Sequence, residues 1–147
     1  MNIDEEYLLR IKDKISRDPV IVNSDDYNKW IGDAYPSCGS RIDWEKLEGV
    51  ISDKAVHRGS GYNHDIKAVE FVERIARHTG YNRRLIVIPD GTTEHSLLMT
   101  FEELKKAIGV IVEFPQHTYI VSEDKSFVIV LTIDGYMNFA MAPFRSK

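Results

Sequence analysis

The chain has 147 residues, 43% of them hydrophobic and 29% charged, which fits one globular domain over residues 1–147 with a core of its own. Nineteen basic against 23 acidic side chains leave a net charge of −4, the opposite of the basic excess that marks a nucleic-acid binder. A lone cysteine, Cys38, excludes an internal disulfide and a cysteine-based zinc cluster.

The opening segment MNIDEEYLLRIKDK is charged and amphipathic and shows no basic-then-apolar secretory signal. Apolar runs fall far short of the roughly 20 residues that span a bilayer. A cytoplasmic protein is therefore expected. Charge is uneven: the first fifty residues hold eleven acidic and seven basic groups, and the rest of the chain is nearly balanced. That acidic third is either a solvated face or a docking surface for a basic partner.

In chain order, Tyr7, Leu8, Ile11 and Ile15 form one apolar stripe and predict a helix, with Asp4 as its N-cap and Pro19 marking its end. Val20 to Val22 reads as a short strand. Ser24-Asp25-Asp26 suits the start of a helix through Trp30, Tyr35 to Ser40 is a turn cluster, and Asp43 to Leu47 reads as a second short helix stopped at Gly49. Arg58-Gly59-Ser60-Gly61 reads as a flexible loop. A long helix follows, capped by Asn63, with Ile66, Val69, Val72, Ile75 and Ala76 as its buried stripe and Gly80 as its left-handed C-terminal cap. Leu85 to Ile88 and Ser96 to Met99 predict strands. Thr100-Phe101-Glu102-Glu103 is a capping box that opens a helix over Phe101 to Ile108.

The last third reads as a meander. Thr118 to Ser122 is one strand, and the continuous apolar run Phe127 to Ile133 is a second, covered on both faces. Asp134-Gly135 predicts a two-residue primed turn into a third strand, Tyr136 to Met141, with Met137, Phe139 and Met141 on one face. Together these elements predict an α+β fold: an antiparallel β-meander sheet with helices packed on one side.

Candidate chemistry is sparse. The five histidines, His57, His64, His78, His95 and His117, show no ligand spacing, so neither a metal nor a cofactor is expected. Cys38 sits in a turn but lacks a nucleophile signature, and no catalytic residue is assigned. The carboxylate pairs Asp25-Asp26 and Glu102-Glu103 stand at helix starts, where the dipole favours them. Trp30, Tyr35, Trp44 and Tyr62 lie among the acidic residues of segment 23–63, and such rings either anchor loops to a core or form interface hot spots.

One stretch carries a family likeness. His117-Thr118-Tyr119-Ile120-Val121-Ser122, then Ser126-Phe127, then Asp134-Gly135-Tyr136-Met137-Asn138-Phe139 resembles the C-terminal hairpins of small bacterial immunity proteins from contact-dependent growth-inhibition and related polymorphic toxin systems. The likeness covers residues 95–142, with Phe127 where the pattern has tryptophan. It implies a protein that binds and blocks one toxin domain, commonly a nuclease. On that reading the contacts are Asp25, Asp26, Trp30, Asp33, Tyr35 and Trp44, and the fallback location is the loops Asp90 to Glu94 and Glu123 to Ser126. A regulatory or scaffold module with another protein partner is an alternative. So is a small enzyme pairing His57 or His95 with Glu94.

Overall fold

The computed structural model describes residues 1–39, 41–55 and 64–143. The expected Arg58–Gly61 loop, the Asn63 cap, His57 and Tyr62 lie outside the described residues, as does the His64 side chain. The fold is α+β, and the described residues form four helices and a seven-stranded antiparallel sheet. The strands are β1 (Val20–Val22), β2 (Ser37–Cys38), β3 (Arg41–Ile42), β4 (Ile51–Lys54), β5 (Leu85–Asp90), β6 (Ser96–Met99), β7 (His117–Ser122), β8 (Phe127–Leu131) and β9 (Tyr136–Met141). The large sheet runs β1-β6-β5-β7-β8-β9-β4, and β2 pairs with β3 in a separate small hairpin. The predicted meander β7–β8–β9 forms its centre.

Helices α1 (Ile3–Ile15), α3 (His64–Thr79) and α4 (Phe101–Glu113) cover one sheet face. Their stripes meet Leu85, Val87, Ile120, Phe127, Ile129 and Phe139 in the larger core. Alternate strand residues, among them Ile86, Ile88, Val121, Val128 and Ala140, point to the opposite face and form a smaller core. That face is covered by α2 (Asp25–Ala34), the β2–β3 hairpin and a 3-10 turn at Trp44–Lys46. With apolar layers on both sides, β8 is buried along its whole length, but it stops at Leu131 and not at the expected Ile133, which is 50% exposed in the turn that Thr132 opens.

Local chemistry explains where the elements depart from expectation. Asn2, not Asp4, caps α1: its side chain accepts from the Glu5 N–H at 2.8 Å, and Glu5 accepts in return from the Asn2 N–H at 2.9 Å. Asp4 instead accepts from the Glu94 N–H at 2.8 Å, tying α1 to a distant loop. The buried stripe of α3 is Ala68, Phe71, Val72 and Ile75. Ile66, expected in that stripe, is 58% exposed, because two residues before Ala68 lies almost on the opposite side of the helix. Helix α4 runs past Ile108 to Glu113, since Val110 and Ile111 continue its buried stripe. The β8–β9 connection is a three-residue loop and not a two-residue primed turn. Thr132 and Tyr136 are bonded across it, Gly135 alone takes positive φ (94°), and Asp134 stays out of the left-handed region that a type I′ turn demands.

Candidate functional site: a cleft beside α2

The site is built where the smaller core reaches the surface. A cleft of about 650 Å³ opens between α2, the β2–β3 hairpin and the ends of β5, β6 and β7. Its apolar lining comes from Ile31, Ile42 and Ile88, and its charged lining from Asp25, Arg41, Asp90 and Glu94. Asp25 stands in the first turn of α2, where the helix dipole suits a carboxylate. Asp90 ends β5 opposite His117.

Glu94 is held by its loop. Thr93 donates its N–H to the Gln116 side chain at 2.8 Å, and the Gln116 amide donates back to the Thr93 hydroxyl at 2.9 Å. Both residues are buried, so the pair satisfies polar groups that burial would otherwise penalise. Thr92 donates to the Pro115 carbonyl at 2.8 Å, and the Asp4 carboxylate secures the Glu94 N–H. A loop fixed at these points presents its carboxylate without a large ordering cost on binding.

The electrostatics at the cleft mouth are mixed. Burial and the positive charge of Arg41 hold the His117 imidazole below its ordinary value, with Asp90 and Asp134 opposing. Its Nδ1 accepts from the Ile133 N–H at 3.1 Å, which fits the neutral ring. Burial, aided by Asp90, raises the Tyr119 phenol, and Arg41 opposes. Asp25, Asp90 and Glu94 form no ion pair among the described residues. Arg41, likewise unpaired in that set, leaves the four charges a local net of −2.

Of the six residues expected from sequence to make contacts, Asp25 alone lines the cleft beside Tyr35. Asp26 is ion-paired with Lys125 of the β7–β8 turn, and Asp33 with Lys29 at 2.7 Å. Trp30 and Trp44 are half-buried against the smaller core. Tyr35 is a correction. It is 4% exposed, its hydroxyl donates to the Ala140 carbonyl at 3.1 Å, and Trp30 packs edge-on to it at 5.5 Å. It is a core residue that closes the back of the cleft.

The contact segment and the fallback loops are one region: Asp90 and Glu94 join Asp25 at the cleft, and Glu123 and Lys125 contact α2 from its other side. Arg41, Tyr119 and Gly32 were missed. Only Gly32, an interior glycine in a short helix, carried a local signal. A Cβ at Gly32 would meet nothing within 4 Å. Among the described residues no group of three or more His, Cys, Asp or Glu side chains is close enough to hold a metal. Of the two histidines expected to pair with Glu94, His95 does not line the cleft, and His57 lies outside the described residues. Cys38 is exposed on β2. Among the described residues no helix is long and apolar enough to cross a membrane.

No protein-family model, curated protein or solved structure matches the chain.

Proposed function

We propose that this chain is a non-catalytic binding protein that captures and neutralises a cognate toxin domain in the cytoplasm, in the manner of an immunity protein. The observation that supports the reading is the gathering of Asp25 on α2 with Asp90 at the end of β5 and Glu94 of the β5–β6 connection around one cleft. Carboxylates that form no ion pair among the described residues, and outnumber Arg41 three to one, keep a negative field for a partner, and a groove built to hold nucleic-acid phosphates offers the complementary charge. A nuclease domain is therefore the toxin class that suits the surface best. Half-buried Trp30 and Trp44 flank the region and supply rings that a partner can desolvate fully. A regulatory module would use the same surface and differ only in its partner.

Co-expression with the toxin domain encoded beside its own gene tests the reading. A stoichiometric complex and restored growth are expected. Replacing Asp25 and Asp90 with Asn and Glu94 with Gln should weaken the complex at least about ten-fold, or 1.4 kcal/mol, with an unchanged melting curve. Failure of the native chain to form any complex would remove the proposal.

A further inference from the structure

We propose that α2 is a hinged cover, fixed at its C-terminal end and held at its N-terminal end by a polar strap whose release widens the cleft. Helix α1 buries three residues and α4 six, but α2 buries none. Tyr27, Trp30, Ile31 and Ala34 only lean on the smaller core. The fixed end is Tyr35, directly after the helix, buried and bonded to β9 through its hydroxyl.

The strap is at the other end. Tyr27 donates its hydroxyl to the Glu123 carbonyl at 3.1 Å, and the Lys125 ammonium pairs with Asp26 while lying 5.4 Å over the Tyr27 ring. Glu123 is itself anchored: its N–H donates to the Tyr81 hydroxyl at 3.0 Å, and its carboxylate pairs with Arg84 at 3.1 Å. Lys125 holds φ at 60°, a conformation that side chains other than Gly, Asn and Asp seldom adopt.

Exposed ion pairs and hydrogen bonds exchange for water at little net cost, whereas buried apolar area does not. A helix with no fully buried side chain, whose N-terminal end is held by contacts of the first kind, belongs to the weakly held end of the stability range. Its movement would uncover Ile86, Ile88 and Val121, the apolar floor of the smaller core. Use of that floor by a partner rests on the binding reading above; the opening itself does not.

Hydrogen exchange on the full chain, with no partner present, tests the hinge separately from the binding. Backbone amides of residues 29–34 should exchange at least about ten-fold faster than those of β5, β7 and β8. Lys125→Asn removes the ammonium while keeping a residue that accepts positive φ, and Tyr27→Phe removes the hydroxyl while keeping the ring. Each should speed exchange in α2 several-fold and leave the three strands unchanged. Exchange of α2 at the rate of the strands would overturn the proposal, as would variants that leave α2 unchanged or that speed both regions equally.

Discussion

The two faces of the sheet are built on opposite principles. The face under α1, α3 and α4 is closed by long stripes, a capping box at each of α1 and α4, and fully buried rings at Phe71, Phe127 and Phe139. The other face is closed by a ten-residue helix with no buried side chain, a two-by-two hairpin and a 3-10 turn, and it keeps a cleft. Apolar burial and capping accumulate on the first face, which supplies most of the stability. The second face keeps half-buried rings and the cleft charges Asp25, Arg41, Asp90 and Glu94, which on the proposed reading serve a partner.

The hardest break falls on the first face. Ile129 is 0% exposed in the larger core, so Ile129→Asp buries an uncompensated charge at about 3–5 kcal/mol. Against a domain held by about 5–15 kcal/mol, loss of the cooperative thermal transition is expected. A retained, unshifted transition would show that the face is not what holds the fold. On the second face, Tyr35→Phe deletes the hydrogen bond to Ala140 and should cost about 1 kcal/mol by denaturant titration, with native secondary structure.

Gly32→Ala sharpens the contrast in the other direction. An interior glycine in a helix costs about 0.5–1 kcal/mol relative to alanine, and the new methyl meets open space. The variant should therefore gain about that much stability. Gly32→Leu should project into the cleft and impair partner binding while the chain stays folded.

The smallest effect is pH-dependent. Arg17 donates to Glu103 at 2.5 and 2.6 Å, and this bond holds the Glu103 carboxyl below its ordinary value against partial burial. Its contribution is therefore complete above the ordinary carboxylate value of about 4.3 and is lost as pH falls through the lower folded value. Glu103→Gln keeps the capping-box reach and removes the charge. Both partners are partly exposed, so its melting curve should differ from the native one by no more than about 1 kcal/mol near neutrality and converge with it in acid.

The first face was legible in the sequence because its signals are local. The Thr100–Glu103 box, the β7–β9 runs and Gly80 at φ 66° each declare themselves within a few residues. The strand Ile51–Lys54 was missed because it is a half-polar edge, ISDK, with little alternation to read. The site was only half legible. Asp25 lines the candidate cleft and Trp30 and Trp44 lie on the smaller core, but nothing local reveals that Tyr35 turns inward to Ala140, 105 residues away. The meeting of Asp25 with Asp90 and Glu94 depends on sheet order, as does the place of Arg41 on a two-residue strand.

The division between the faces is tested most directly by matched charge reversals, Asp25→Lys at the cleft and Asp13→Lys on α1, with association rates to the proposed partner domain measured at low and high salt. Both carboxylates are exposed and outside any described ion pair, so both variants should stay folded, with Asp25→Lys destabilised by no more than about 1 kcal/mol through the α2 dipole. The account predicts slower association for Asp25→Lys alone, with the deficit shrinking as salt screens the field. Equal slowing by both reversals, or slowing by Asp13→Lys alone, would contradict it.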